Sequence, residues 1–225
     1  MKLNKIIFNN NKFDGLICLN GNIPNRDFFE NLEGVTIIAA DGAADYLHRA
    51  NIIPNYIVGD MDSINPSTLQ FFFERTNLFQ LSDQETNDFE KAVLFALSLN
   101  LNNLLIVGIN GGLYEHSLNN WSVLAKLSRI TNLCVLDDNR YAFNISKSTE
   151  INLSKGEIVS IIPQTKVKLI TKNLKWNLDS EVLEIGEREG ARNIAISDNI
   201  MLEVIEGEAL IFVDSRFPYA PESIN

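Results

Sequence analysis

The sequence predicts an α/β domain, with a mostly parallel sheet and helices on both faces, followed by a small all-β sandwich domain. Up to about residue 140, short apolar runs alternate with helical stretches, as in a parallel sheet covered by helices. Beyond that point, short and often alternating apolar runs are separated by Gly, Asn, Asp and Pro, which is typical of antiparallel sheets. We therefore place residues 1–143 in the first domain and residues 144–225 in the second.

The predicted elements of the first domain alternate along the chain. The strands are "DGLICLN", "GVTIIAA", "YIVG", "NNLLIVGI" and "TNLCVLDD". The helices are "NRDFFENL", "AADYLHRA", "PSTLQFFFER", "ETNDFEKAVLFALSLN" and "HSLNNWSVLAKLSRI". Asn25 is suited to cap the first helix, and Pro66 lies near the first turn of the third. Ligands of such sheets bind at the carboxyl ends of the strands, so the residues that follow each strand are the first candidates for a site.

The predicted elements of the second domain are all strands. They are "YAFNIS", "EIVSIIP", "KVKLITK", "EVLEIG", "IMLEVIE" and "EALIFVD". No convincing helical pattern interrupts them, so we expect antiparallel pairing throughout this domain.

Composition excludes several classes of protein. The 225 residues carry 19 basic and 29 acidic side chains, a net charge of −10, which argues against a nucleic-acid partner. No stretch approaches the ~20 apolar residues of a membrane span, and the first residues lack the apolar core of a signal peptide. Cys18 and Cys134 each lie in an apolar run, which indicates free core thiols and a reducing compartment. We therefore expect a cytoplasmic protein without a membrane partner.

Four polar clusters follow predicted strands of the first domain. They are Asp41-Gly42, Asp60-Met61-Asp62-Ser63, the pair Asp88 and Lys91, and the glycine-rich "GINGGLYEHSLNN". Carboxylates without His or Cys partners suit hard cations such as Mg²⁺. If the strand before Asp60 continued, Asp60 and Asp62 would share one face and need a cation between them. Glycines before a helix let backbone N–H groups approach an anion. Together these parts predict a magnesium–nucleotide enzyme that is not a P-loop protein, since no GxxxxGK[ST] run is present.

Each cluster also has a simpler interpretation. Asp41-Gly42 is compatible with an ordinary turn, and Asp60 and Asp62 with loop acids that cap the next segment. Asp88 could be a first-turn acid favoured by the helix dipole, with Lys91 as a solvated neighbour, and Gly111-Gly112 could be a plain connection. The functional interpretation depends on all four clusters falling at comparable strand ends.

The series "ADGAADYL", "PNYIVGDMDSI", "DQETNDFEKA", "GINGGLYEH" with a later Asn, and "NLKWNL" resembles the thiamine pyrophosphokinase family, in order and over nearly the whole chain. Members of that family transfer a pyrophosphoryl group from ATP to the hydroxyl of thiamine, giving thiamine diphosphate and AMP. The resemblance implies ATP and thiamine as substrates, Mg²⁺ as cofactor, and a homodimer whose sites lie between the α/β domain of one subunit and the β domain of another.

The resemblance also implies roles for individual residues. The catalytic group would be Asp60, Asp62, Asp88 and Lys91, and the metal ligands would be Asp41, Asp60, Asp62 and Asp88. The nucleotide would be bound by Asn20, Gly21, Asp41, Gly42, Ser63, Gln84, Gly111, Gly112, Glu115, His116 and Asn120. In the β domain, Trp176 would pack on the thiamine ring system and Ser197 would provide a nearby polar contact.

The chain departs from the family pattern at a few positions. Leu113 stands where an arginine is usual, and Glu115 where an aspartate is usual. Asn87 replaces a threonine, and Asp198 stands where an asparagine often follows the serine. Arg140 or a residue of a second subunit could supply the missing positive charge. Two alternatives stay open: a non-catalytic binder of thiamine or nucleotide, and a Mg-ATP pyrophosphotransferase acting on another heteroaromatic alcohol.

Overall fold

The computed structural model describes residues 4–83 and 85–224. Its chain divides into two compact units, an α/β unit of residues 12–138 and a β unit that combines residues 4–11 with residues 139–224. The strands are β1 Asn4–Ile7, β2 Gly15–Cys18, β3 Thr36–Ala40, β4 Tyr56–Gly59, β5 Asn77–Gln80, β6 Asn103–Val107, β7 Asn132–Asp137, β8 Arg140–Ile145, β9 Thr149–Asn152, β10 Ile158–Lys172, β11 Glu181–Glu184, β12 Gly190–Ile194, β13 Asn199–Asp214 and β14 Glu222–Ile224. The helices are α1 Arg26–Phe29, α2 Ala43–Arg49, α3 Pro66–Phe72, α4 Asp88–Ser98 and α5 Tyr114–Leu127.

The α/β unit contains a parallel sheet in the order β7-β6-β2-β3-β4-β5. The chain builds outward from β2 to β5 and then returns to the other side of β2 with β6 and β7. The strand order therefore reverses between β2 and β6, and a crevice at such a point is the usual ligand site of an open α/β sheet. The predicted α/β class of this unit is confirmed.

Most elements of the α/β unit lie where the sequence predicts them. Helix α4 begins after Asn87, whose side chain accepts a hydrogen bond from the backbone N–H of Glu90 at 2.9 Å. Helix α1 is shorter than expected, and Asn25 stands at its N-cap without a side-chain bond. Strand β5 was not predicted, because as the outer strand of the sheet it is largely exposed and lacks a continuous apolar run. Among the described helices, none is both long enough and apolar enough to cross a membrane.

The β unit is all-β, as the sequence predicts, and its two longest strands are longer than expected. Strands β10 and β13 contain 15 and 16 residues and pair antiparallel with each other. The sequence pattern divided each of them into two short strands. The pairing register shifts between Pro163 and Val167, and Gly207 adopts a φ of +84° opposite that shift. Bulges of this kind let a strand continue through residues that resemble a turn in the sequence.

The β unit includes residues that precede and follow the α/β unit along the chain. Strand β1 lies parallel to β9 and antiparallel to β14, and β8 lies antiparallel to β13. Residues 4–11 and 139–143 therefore group with the β unit, whereas the division made from sequence assigned them to the first domain. A four-residue strand whose partners are distant along the chain has no local signal that would reveal its sheet.

A buried ion pair stabilises the β unit. Glu157 is 2% exposed at its side chain and binds Arg216 through both guanidinium nitrogens. Its carboxylate also accepts hydrogen bonds from the backbone N–H groups of Ser154 and Asp214, at 3.0 and 2.8 Å. Burial opposes ionisation of Glu157, but these hydrogen bonds outweigh it and lower the pKa of the carboxyl.

The two cysteines are buried free thiols in strands of the α/β unit. Cys18 lies in β2 and Cys134 in β7. Burial raises the pKa of each thiol far above its ordinary value, so neither is ionised at neutral pH.

Candidate active site

Asp41 occupies a buried position at the end of β3. Its side chain is 3% exposed, and its backbone adopts a left-handed φ of +40°. Gly59, the last residue of β4, passes so close that an added Cβ would lie 2.7 Å from the Cβ of Asp41. Glycine is therefore required where β4 ends, and this requirement went unnoticed in the sequence although Gly59 directly precedes the two aspartates.

The carboxylates of Asp41, Asp60 and Asp62 meet in a tight turn after β4. Oxygen atoms of all three lie within 4.8 Å of one another. The strand does not continue through Asp60 and Asp62, as the argument from side-chain alternation assumed, because β4 ends at Gly59 and Met61 has a φ of +70°. The turn is held by Met61 N–H, which donates to Asp41 at 3.1 Å, and by the Ser63 hydroxyl, which donates to Asp62 at 3.0 Å.

Lys91 is buried beside this cluster. It lies in the first turn of α4, and its side chain is only 5% exposed. Its Nζ is 3.3 Å from Asp88 Oδ1 and 3.9 Å from Asp60 Oδ2. The simpler interpretation of Lys91 as a solvated neighbour is therefore wrong. Burying an ammonium group costs free energy that its partner charges must offset. Buried charged groups of this kind are frequent at functional sites.

The charges of the cluster do not balance among these residues. Burial, together with the negative charge of Asp88 and then of Asp60 and Asp62, raises the pKa of the Asp41 carboxyl. Burial likewise raises the pKa of Asp88, although Lys91 opposes that shift. Four carboxylates thus face one ammonium. Oxygen donors with excess negative charge and no His or Cys nearby fit a hard divalent cation such as Mg²⁺.

The loops after β2 and β6 meet at the point where the strand order reverses. A Cβ at Gly21 would lie 2.2 Å from the carbonyl oxygen of Asn110 and 2.3 Å from that of Gly108. A Cβ at Gly42 would lie 2.6 Å from Nδ2 of Asn20, so the loops after β2 and β3 also touch. Only glycine fits at Gly21, because backbone of the loop after β6 fills the space that a side chain would need.

The structure brings most of the predicted first-domain residues to this edge of the sheet. Asn20, Gly21, Asp41, Gly42, Asp60, Asp62, Ser63, Asp88 and Lys91 lie in the connected loops or in the first turn of α4. Gly111 and Gly112 precede α5, and Glu115 and His116 are exposed in its first turn. The side chain of Asn120 donates to the carbonyl oxygen of Ile109 at 3.3 Å, so it supports the glycine-rich loop. Gln84 lies outside the described residues.

The arginine proposed as a substitute donor is already engaged. The guanidinium of Arg140 forms an ion pair with Asp214 and donates to the carbonyl oxygens of Ile158 and Phe212 at 2.8 and 2.9 Å. Arg140 belongs to the β unit, and these bonds use three of its five N–H donors. Leu113 is 61% exposed at the N-cap position of α5, where a longer basic side chain would face solvent.

The β unit presents an exposed aromatic side chain between β10 and β11. Trp176 is 56% exposed, so it is not a core residue of the β unit. Asn193 fixes its backbone through hydrogen bonds of 3.2 and 2.7 Å, and the Lys175 ammonium lies 4.6 Å from its ring centroid. Ser197 is half-buried in the neighbouring loop, which a bridge between Leu174 and Ala195 joins to the Trp176 loop.

These observations define the class of the protein: an α/β unit with a site built like those of phosphoryl-transfer enzymes, and an all-β unit. An α/β sheet carries clustered carboxylates and a buried lysine at its carboxyl edge, next to a glycine-rich crevice. A separate all-β unit presents an aromatic residue. Carboxylates, a lysine and exposed backbone amides are the recurring parts of phosphoryl-transfer sites.

Comparison with known proteins names the family. Residues 32–136 match the family model described as thiamin pyrophosphokinase, catalytic domain, and residues 141–207 match the model described as thiamin pyrophosphokinase, vitamin B1 binding domain. The chain belongs to the thiamin pyrophosphokinase family. Thiamine pyrophosphokinase 1 of Oryza sativa subsp. japonica is 29% identical over 173 residues, which are 68% of this chain and 64% of that relative.

Solved structures share the fold. Yeast thiamin pyrophosphokinase superposes with a TM-score of 0.78 at 21% identity, over 92% of this chain and 87% of that one. Thiamin pyrophosphokinase from Geobacillus thermodenitrificans gives a TM-score of 0.75 at 20% identity, over 90% of this chain and 98% of that one. The α/β-then-β fold class inferred from the sequence is confirmed.

Proposed function

We propose that the protein is a thiamine diphosphokinase. It transfers the pyrophosphoryl group of ATP to the hydroxyl of thiamine and releases AMP. The observation that carries the proposal is the buried Lys91 between Asp60 and Asp88, beside a three-carboxylate cluster, in a chain that matches both domain models of one family. In the reaction, the thiamine oxygen forms a bond to the β-phosphorus, the bond from that phosphorus to the oxygen kept by AMP breaks, and the hydroxyl loses its proton.

Asp41, Asp60, Asp62 and Asp88 are the proposed Mg²⁺ ligands. Bound there, the ion would neutralise polyphosphate oxygens that otherwise repel the attacking hydroxyl. The raised pKa of Asp41 supports this role, because a cation would offset the burial and the repulsion from neighbouring carboxylates that raise it. Lys91 is proposed to contact the phosphates, and one of Asp60, Asp62 and Asp88 to orient the thiamine hydroxyl.

The nucleotide is proposed to occupy the crevice between the loops after β2 and β6. The proposal is supported by the glycines of these loops, since Gly108, Gly111 and Gly112 have positive φ, a backbone conformation in which successive N–H groups can face an anion. The proposed contacts from sequence remain Asn20, Gly21, Asp41, Gly42, Ser63, Gln84, Gly111, Gly112, Glu115, His116 and Asn120.

Thiamine is proposed to bind against Trp176 and Ser197 in the β unit of a cytoplasmic homodimer. The exposure of Trp176 supports this role, since a flat cationic ring stacked on an indole gains about 0.5–2 kcal/mol. The vitamin B1 binding model covers both residues.

The proposal is tested by measuring AMP release from Mg-ATP with and without thiamine, while thiamine diphosphate is followed in the same samples. We expect thiamine-dependent AMP in equal amount to thiamine diphosphate. Binding of thiamine without AMP would favour the non-catalytic alternative, for which the exposed Leu113 is the relevant observation. AMP release with another heteroaromatic alcohol but not with thiamine would favour the alternative acceptor.

A further inference from the structure

We infer that Asn110 is a positioning residue that fixes the loop after β6 against the loop after β2, so that together they form one phosphate-binding crevice. The inference rests on the proposed function for the identity of the ligand, ATP. Asn110 lies in "GINGG" but has no role implied by the family resemblance. It acts through the loops and not by touching the substrate.

Asn110 connects three separate elements through its polar groups. Its Oδ1 accepts a hydrogen bond of 2.8 Å from the indole Nε1 of Trp121 in α5. Its Nδ2 donates at 2.8 Å to Asp137 at the end of β7, and its backbone oxygen accepts at 2.6 Å from Asn22 N–H in the loop after β2. One residue therefore joins the loop after β2, helix α5 and strand β7.

The chemistry of the partners determines the orientation of the Asn110 amide. An indole N–H can only donate, and an ionised carboxylate can only accept. The amide oxygen must therefore face Trp121 and the amide nitrogen must face Asp137. The opposite orientation would lose both bonds.

Side chains on one face of α5 form hydrogen bonds with three consecutive residues of the loop after β6. Ser117, Asn120 and Trp121 are spaced i, i+3 and i+4, so they lie on the same face of the helix. Ser117 donates to the Gly111 carbonyl at 3.4 Å, and Asn120 donates to the Ile109 carbonyl at 3.3 Å. The helix thus fixes residues 109–111, and the shortest of its three bonds goes to Asn110.

The two loops have little freedom to move relative to each other. A Cβ at Gly111 would lie 2.8 Å from the backbone nitrogen of Asn22, and one at Gly21 would lie 2.2 Å from the Asn110 oxygen. A shift of the loop after β6 would therefore change the spacing of the backbone groups that face a bound phosphate. Misplacement of binding groups by ~1 Å can lower activity about 100-fold.

The test uses Asn110→Asp and Trp121→Phe in the full-length protein, with Asn119→Asp as the control of matched charge. Asn119 lies on α5, is exposed and forms no side-chain hydrogen bond with the described residues. We expect Asn110→Asp to raise the KM for Mg-ATP about tenfold or more, with the KM for thiamine changed less than about twofold, because two carboxylates then face each other. Trp121→Phe keeps the aromatic ring and is expected to give a smaller change of the same kind.

A reciprocal exchange separates positioning from general damage. In Asn110→Asp combined with Asp137→Asn, the new carboxylate accepts from both the indole and the new amide, so the KM for Mg-ATP is expected to return to within about threefold of wild type. An unchanged KM for Mg-ATP in Asn110→Asp, an equal rise in the KM of both substrates, or a double variant no better than the single one would each overturn the inference.

Calorimetric titration with a non-hydrolysable Mg-ATP analogue distinguishes failure of this inference from failure of the proposed function. If the wild type releases no thiamine-dependent AMP, the proposed function fails, and the affinity of the variants for the analogue decides the inference. Weaker binding by Asn110→Asp, restored in the double variant, supports it. Equal binding by all variants overturns it.

Discussion

The two units each bury a carboxylate, and the pKa values of the two carboxyl groups are shifted in opposite directions. In the α/β unit, burial and neighbouring carboxylates raise the pKa of Asp41. In the β unit, a bidentate arginine and two backbone N–H groups lower the pKa of Glu157, although burial opposes them. Glu157 has every partner it needs within its own unit. Asp41 accepts a hydrogen bond from Met61 N–H, but it is buried beside carboxylates that destabilise its charged form.

The difference distinguishes a structural carboxylate from one prepared for a ligand. A structural carboxylate is expected to be satisfied in the folded chain, because an unpaired buried charge destabilises the fold. A carboxylate that binds a cation destabilises the fold in the ligand-free state, and cation binding removes this destabilisation. The contrast predicts that removing these charges affects stability with opposite signs.

The largest effect is expected from Asp60→Asn or Asp62→Asn. Each change removes a charge from the proposed metal site while it preserves the shape of the turn. We expect turnover to fall about 1,000-fold, the scale seen when one electrostatic contact to a transition state is lost. Asp27→Asn, an exposed first-turn acid of α1, is the matched control for thiamine-dependent AMP release. Normal turnover of either site variant would exclude the metal role of that residue.

Glu157→Gln tests the structural member of the comparison. It removes the carboxylate that pairs with the partly buried Arg216, so we expect the free energy of unfolding in urea to fall by about 3 kcal/mol. A lowered folded pKa means that the stabilisation is present above the unfolded pKa of the carboxyl and is lost as the pH falls through the folded pKa. The variant should lack this acid-dependent loss. Glu184→Gln, which removes an exposed ion pair with Lys166, should have a much smaller effect.

Trp176→Leu tests whether an exposed aromatic residue is maintained for binding. Because the side chain is 56% exposed, we expect little change in thermal stability. The KM for thiamine should rise about tenfold with loss of the cation–π contact, and the KM for Mg-ATP should not change. Ile185→Ala, an equally exposed apolar residue of the β unit, is the control. A change in stability without a change in thiamine KM would identify Trp176 as a structural residue.

The smallest effect, with the opposite sign to that of Glu157, is expected from Asp41→Asn. The folded pKa of Asp41 is raised, so its ionisation destabilises the fold as the pH rises from the unfolded value of the carboxyl through the folded pKa. Without added Mg²⁺ at neutral pH, the variant should therefore be more stable by about 1 kcal/mol, a rise in Tm of about 2–4 °C. The gain should disappear in acid, where both forms are neutral. A variant less stable than wild type at neutral pH would contradict this account.

The sequence predicts the α/β elements well because each buried strand is a continuous apolar run between helical patterns. It misses β5, whose exposed residues lack such a run, and it divides β10 and β13 at their bulges. It also misses the pairing of β1, whose partners are distant along the chain.

In the candidate site, too, local motifs were predictable from the sequence, whereas contacts between distant residues were not. Strand ends and the family resemblance selected Asp41, Asp60 and Asp88 from local motifs. The burial of Lys91 and the bonds of Asn110 depend on which elements meet in space, and no spacing in the sequence contains that information. The close approach of Asp60 and Asp62 was expected for the wrong geometric reason, since a turn and not a strand unites them.

The two buried cysteines make the rate of thiol labelling a measure of how often the α/β unit opens. The chain has two cysteines, and both lie in the sheet of the α/β unit, inaccessible to solvent and protonated at neutral pH. A thiol-reactive dye can therefore label the native protein only when β2 or β7 becomes exposed. The rate of labelling measures how often the sheet beneath the carboxylate cluster comes apart, without any engineered probe.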